Sequence, residues 1–250
     1  MSKKSEVLNS GNFMSALIAS ISLIPVVGSA INEVLFDRRS RIKQDRINSF
    51  VTELGKSVQK IDESKIDQEY LKSDEFSDIV ESTFKKVSEF GTTTRIKRFK
   101  NILLNQTVRK CESSIIETYL NIITTLSEKQ LLLLEHYQLN EKNLKRIYRR
   151  LEEEESRGSR FIKHMDKEVT LENADVEELR KIYKDFIQEM YVNSGIRKGD
   201  DIDYINQDLV SKSLLKDESF TIKNKKPNEI LLPTKYSKQF VNFIIEFNEN

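Results

Sequence analysis

Residues 73–104, SDEFSDIVESTFKKVSEFGTTTRIKRFKNILL, settle the class of fold. Phe76, Ile79, Val80, Phe84 and Val87 recur at steps of three and four, the period of one face of an α-helix. Ser73-Asp74-Glu75 supplies a start, because a serine oxygen can accept an amide of the first turn and carboxylates suit the positive end of the helix. Gly91 supplies the stop. Ile96, Phe99 and Leu103 then open a second stripe of the same period. Alternation of period two, the mark of a half-buried strand, is missing from the whole stretch.

The same period extends outward on both sides. Upstream, Ile47, Phe50, Val51, Leu54, Val58 and Ile61 form an apolar stripe, followed by a polar connection from Asp62 to Asp67. Downstream come Ile115, Ile116, Tyr119, Leu120 and Ile123, and then Ser127-Glu128-Lys129-Gln130, which has the spacing of a capping box. Leu131–Leu134 with Tyr137, and Leu144, Ile147, Tyr148 with Leu151, continue the pattern. From Glu152 to Asn173 the chain is at its most polar and least periodic, so a boundary is expected there. Beyond it, Leu179, Ile182, Tyr183, Phe186 and Met190 make a helix broken by Gly195 and Gly199, and Tyr204, Ile205, Leu209, Val210 and Leu214 make another. The period then shortens. Phe220-Thr221-Ile222 and Ile230-Leu231-Leu232 read as strands joined by Lys223–Asn228, and a last helix carries Phe240, Phe243, Ile244 and Phe247.

The expected architecture is mainly α. Residues 1–151 form a helical bundle with an apolar N-terminal helix or hairpin, 152–174 a polar linker, and 175–250 a small winged-helix-like domain with a short β-hairpin, its wing at Lys223–Asn228. Composition agrees. Of 250 residues only 7 are Gly and 3 Pro, too few for a sandwich or a disordered chain. Lys and Arg number 41 against 40 Asp and Glu, a net charge of +1, which excludes a protein that coats nucleic acid by bulk charge. One cysteine, Cys111, excludes a disulfide framework, and with two histidines, His136 and His164, a multi-ligand metal centre is not expected.

The N-terminus stands apart. No formal charge occurs between Glu6 and Glu33, and the run from Phe13 to Ile31 is apolar or small at nearly every position. A membrane-spanning helix needs about 20 such residues. Pro25 removes a backbone donor, so Ile24-Pro25-Val26-Val27-Gly28 suits a kink between two half-length helices. Residues 13–36 have three readings: a buried central helix of the bundle, a segment that inserts in lipid conditionally, or a constitutive span. Phe13, Leu17, Ile21 and Ile24 are assigned to insertion or packing, and Pro25 and Gly28 to the hinge. Arg38, Arg39 and Arg41 follow at once and suit an anionic surface. Arg95 and Arg98 belong to a second basic cluster, with Lys97, Lys100, Arg109 and Lys110, expected as a polar band opposite Ile96, Phe99 and Leu103.

Catalytic signatures are sparse. There is no phosphate-binding glycine loop, no Gly-x-Ser-x-Gly elbow and no His-Glu-x-x-His. Arg109 and Lys110 beside Cys111 could lower its thiol pKa, but no histidine is positioned with it. Arg157 and His164 approximate the Arg–His spacing of HEPN ribonucleases, against which Gly158, Ser159 and the polar setting count. No enzyme activity and no cofactor are expected. Asp200, Asp201, Asp203 and Asp208 on the helix before the hairpin oppose approach to phosphates, so nucleic acid is not the expected partner.

The order Ile24–Ile31, then Arg41-Ile42-Lys43-Gln44-Asp45-Arg46, then Asp74-Glu75-Phe76 with Arg98-Phe99-Lys100-Asn101-Ile102-Leu103-Leu104 resembles the helical architecture of bacterial abortive-infection alpha (Abi-alpha) proteins. The likeness covers roughly residues 20–150 and is one of apolar spacing. It implies a cytoplasmic, non-enzymatic antiviral-defence protein, acting by self-assembly, by a protein partner, or at the inner face of the membrane. An apolar helix ahead of a bundle is also similar in layout to HeLo-type membrane-permeabilising domains. The alternative is a soluble interaction module, or a winged-helix DNA-binding regulator, with no membrane step.

Overall fold

The computed structural model describes residues 38–58, 61, 66–67, 69–156, 176–197, 199–219 and 230–245, with the backbone alone for 38–40, 155–156 and 176. The chain is mainly helical, with one small antiparallel sheet. In order it runs α1 (Arg38–Val58), a 3-10 turn (Tyr70–Lys72), α2 (Asp74–Phe90), α3 (Thr93–Val108), α4 (Ser113–Thr125), α5 (Glu128–Leu139), α6 (Glu141–Ser156), α7 (Val176–Asn193), α8 (Ile202–Ser211), β1 (Leu215–Asp217), β2 (Leu231–Pro233) and α9 (Lys235–Ile245). The apolar run 13–31, the Arg157/His164 pair, most of the linker, the expected strand 220–222 and the wing 223–228 lie outside the described residues.

Two compact units divide the chain: residues 1–126 with 242–250, and residues 127–241. The division therefore falls at Leu126/Ser127, earlier than the boundary expected after residue 151. The reason is α6. Of its expected stripe Leu144, Ile147 and Leu151 are buried and Tyr148 is half-buried, but α6 packs on α7 and β2, and so joins the second unit. Periodicity names the face that must be covered and is silent on what covers it.

In the first unit α2 touches α1, α3 and α4. Every apolar residue of the α2 stripe is buried, as are Ile47, Phe50, Leu54, Val58 and Ile61, whereas Val51 is only half-buried. Phe50 meets Phe84 edge-on, with ring centroids 5.1 Å apart, a favoured aromatic geometry. The Ser73 hydroxyl accepts from the Phe76 amide at 3.2 Å, giving α2 its N-cap. Gly91 closes α2, but with φ −69 it is not the left-handed glycine that helix ends usually take. Its requirement is space. A Cβ there would collide with the Val87 carbonyl oxygen and touch the Arg46 side chain. Arg46 Nη1 meanwhile donates to the carbonyls of Ser88 and Glu89, at 2.8 and 2.7 Å, satisfying acceptors that the end of α2 leaves open.

The segment Asn101–Thr107 is the most buried part of α3, with every residue buried. Phe99, Ile102, Leu103 and Leu104 are core, and Asn101 and Asn105 are buried polar residues. Asn101 Nδ2 donates to the carbonyls of Ile244 and Ile245 at 2.9 and 2.8 Å, and Asn105 Nδ2 to that of Phe243 at 3.0 Å. These carbonyls close α9 and have no partner within the helix. Gln106, fully buried, donates to Tyr70 Oη at 2.5 Å and to the Cys111 carbonyl at 2.7 Å, and accepts from the Cys111 amide at 3.0 Å. The side chain thereby shapes the turn from α3 into α4.

In the second unit the capping box at Ser127–Gln130 is formed in both directions. α7 ends at Gly195, whose φ of +74 is the left-handed conformation that costs glycine least; the Ile196 amide reaches the Tyr191 carbonyl at 2.9 Å to complete the stop. β1 and β2 pair Leu215 with Pro233, Lys216 with Leu232 and Asp217 with Leu231. The second strand falls where the sequence places it. Its partner β1 is built from residues 215–217, directly after α8, where Leu214 and Leu215 are core rather than the tail of a helical stripe. Tyr204, expected on the buried face of α8, is 64% exposed, and Asn206 is buried in its stead. Asn206 Nδ2 donates to Tyr191 Oη at 2.8 Å, while Tyr183 Oη accepts the Leu231 amide at 2.9 Å and holds β2.

Candidate functional site

The apolar stripe of α6 faces the core of its unit, and this fixes the opposite face. Lys142, Lys145, Arg146, Arg149 and Arg150 fall at i, i+3, i+4, i+7 and i+8, one side of a helix. Together with Glu153 they line an open cleft of about 420 Å³. Five cations thus meet one carboxylate.

Some of this charge is held locally. Lys145 pairs with Glu141 at 2.6 Å, and Glu141 also pairs with Lys238. Burial pushes the Glu141 carboxyl up, but the two lysines outweigh it and hold the group below its ordinary value. Arg150 reaches Glu153 at 3.1 Å and Glu154 at 3.4 Å. Lys142 and Arg149 are exposed, and among the described residues no carboxylate pairs with either. The helix is also charged against its own dipole. Its cations occupy the first two-thirds and Glu152–Glu155 the last turns, whereas helix stability favours the reverse. The cationic face is therefore not explained by the needs of α6 itself.

The residues singled out from sequence are placed as follows. Phe13, Leu17, Ile21, Ile24, Pro25 and Gly28 lie outside the described residues. Arg38 and Arg39 begin α1, and Arg41 is exposed on it. The second basic cluster does not form the expected solvated band. Arg98 is only 7% exposed, and Arg95 is half-buried with Nη2 donating to the Leu126 carbonyl at 2.8 Å. Lys110 is drawn to Glu75 at 3.5 Å and lies over the Tyr70 ring, 4.7 Å from its centroid. Ten of the sixteen residues of α3 are buried, Arg98 among them. An open groove of about 830 Å³ does run along α1 and the start of α3, lined by Ile42, Asp45, Arg46, Thr52 and Lys97 among others, but its charges are mixed.

Sequence reading passes over the α6 stripe because Glu141 and Glu152–Glu155 flank it, whereas residues 91–110 hold no acidic residue. Its signal was present in the spacing: cations on one face of a helix whose other face is Leu144, Ile147 and Leu151. Burial pushes the Cys111 thiol up, the reverse of the lowering expected from its basic neighbours. The aspartates of residues 200–208 are largely structural: Asp201 accepts from the Tyr204 amide at 2.9 Å, Asp200 pairs with Lys129 at 2.6 Å, and Asp208 accepts from Gln130 at 2.8 Å. Among the described residues no group of three or more His, Cys, Asp or Glu could hold a metal ion, and no helix is long and apolar enough to cross a membrane. Compared with known protein families, with curated proteins and with solved structures, the chain matches none.

Proposed function

We propose that this chain is a bacterial defence protein of the abortive-infection type, without enzymatic chemistry of its own, that acts by contact at an anionic membrane surface. The observation that supports this is the junction at α1. A charge-free apolar run ends just ahead of a helix that opens Arg38-Arg39-Ser40-Arg41, with Arg41 and Lys43 exposed. Apolar residues beside a cluster of cations combine the two attractions, burial and charge, that hold a segment on anionic lipid. The resting state would shelter residues 13–31, and a trigger worth a few kcal/mol would release them.

The test is leakage of dye from vesicles of phosphatidylglycerol and phosphatidylcholine by the full chain, compared with Leu17→Asp and Ile21→Asp. Leakage, or co-sedimentation, abolished by either substitution is the expected result. No association of the parent chain with such vesicles would overturn the proposal.

A second reading concerns residues 202–245. The order α8, β1, β2, α9 supports a winged-helix-like reading of this part, and with it an interaction module in the C-terminal part of the chain. Asp203, exposed on α8, disfavours phosphate and supports a protein partner. Deletion of residues 1–32 separates the two readings. A permanent core segment would take the cooperative melt with it, whereas a releasable one would leave the remainder folded.

A further inference from the structure

The cationic face of α6 has no place in the proposal above and stands independently of it. The geometry points to a sequence-independent binding site for the phosphate backbone of double-stranded nucleic acid, formed by Lys142, Lys145, Arg146, Arg149 and Arg150.

Three features select this ligand. The first is the row itself. From Lys142 to Arg150 the helix rises about 12 Å, since each residue adds ~1.5 Å. A duplex presents one negative charge per ~1.7 Å of its axis, so a helix laid along it meets several phosphates at once. The second is the absence of an apolar or aromatic anchor among the described lining residues. Leu144, Ile147 and Leu151 are buried in the unit and the half-buried Tyr148 is not part of the lining, so the cationic face presents no apolar side chain to insert into lipid, to centre a protein interface or to stack an unpaired base. Recognition that uses cations alone is the mode by which proteins bind duplex backbones. The third is that a second copy seated antiparallel and centred on this row would set Lys142 against Arg150 and Arg146 against its own copy, so the row itself calls for an anionic ligand. The net charge of the chain is only +1, so any such affinity must come from a local face such as this one.

The experiment uses fluorescence anisotropy of the full chain with two labelled DNA duplexes of unrelated sequence. Both should bind alike. With four phosphates engaged, the association constant should fall about 100-fold between 50 and 200 mM salt. Lys142→Gln with Arg149→Gln removes the two unpaired cations and should lower the log–log salt slope by about two. Lys142→Arg with Arg149→Lys keeps the charge and should bind within about two-fold of the parent, as should the control Lys97→Gln with Lys100→Gln. The proposal is overturned by failure of the duplexes to bind at 50 mM salt, by unchanged binding in the first double variant, or by an equal loss in the control. Vesicles of phosphatidylglycerol and phosphatidylcholine displacing the duplex would likewise overturn it and reassign the face to lipid.

Discussion

Asn101 sits in the middle of α3 with its amide nitrogen turned onto the end of another helix, and removing it offers the sharpest test of how the first unit is held. Its Nδ2 gives one hydrogen to the Ile244 carbonyl at 2.9 Å and one to the Ile245 carbonyl at 2.8 Å. Asparagine is only 8% exposed here, so water is a poor substitute. A buried amide–carbonyl bond contributes about 1 kcal/mol net, and stranding its acceptor costs more. Asn101→Ala should therefore destabilise the unit by about 2–3 kcal/mol. For a chain of this length that lowers its melting temperature by about 5–10 °C. Asn101→Asp has nearly the same shape but turns an acceptor onto two acceptors, so it should cost more than alanine does. Urea unfolding supplies the magnitude, and hydrogen exchange of the α9 amides locates it. Asn105, which donates to Phe243 at 3.0 Å, shares the same helix end, so Asn101→Ala and Asn105→Ala should couple rather than add. A cost below about 0.5 kcal/mol for Asn101→Ala, or an aspartate variant as stable as the parent, would refute the assignment.

Other substitutions probe other joints. Gly91→Ala should cost about 1–3 kcal/mol even though φ is −69, because the new methyl has no room against the Val87 carbonyl; a neutral result in a thermal melt would mean the turn yields freely. Tyr183→Phe removes the hydroxyl that accepts the Leu231 amide at 2.9 Å, and should cost the second unit about 1–2 kcal/mol in urea, with faster amide exchange at Leu231 as its local signature. The hydrogen bond from Ser113, 2.6 Å away, and the nearby Lys110 hold the Glu75 carboxyl below its ordinary 4.5. A carboxylate lowered on folding stabilises the fold above the unfolded value and stops doing so as pH falls through the folded one, so acid should weaken the first unit below about pH 4.5. Ser113→Ala should raise the Glu75 midpoint in a carboxyl NMR titration, and an unmoved midpoint would remove the hydrogen bond from the account.

Helical class, caps and stripes could be read directly from residues because each depends on neighbours a few positions away. Ser73 and Ser127 cap because the amides they accept belong to the same turn, and Phe76, Ile79, Val80, Phe84 and Val87 line up whatever they later meet. Three features were illegible for the opposite reason. Nothing local distinguishes Arg98, buried on α3, from Arg149, exposed on α6, since both sit among cations and aliphatics. The partner of α6 and the position of the first strand depend on residues far along the chain.

By itself, then, the order of residues determined where helices begin, how they face and which side chains must leave water, through short-range hydrogen bonding and the 3.6-residue turn. Tertiary structure alone decided that α5 and α6 join the second unit, that Asn101 and Asn105 spend their amides on the end of α9, and that five cations of α6 remain on the surface. A stripe states only that it needs a cover. Which cover it receives is set by the shape and volume of everything else that competes for the same core.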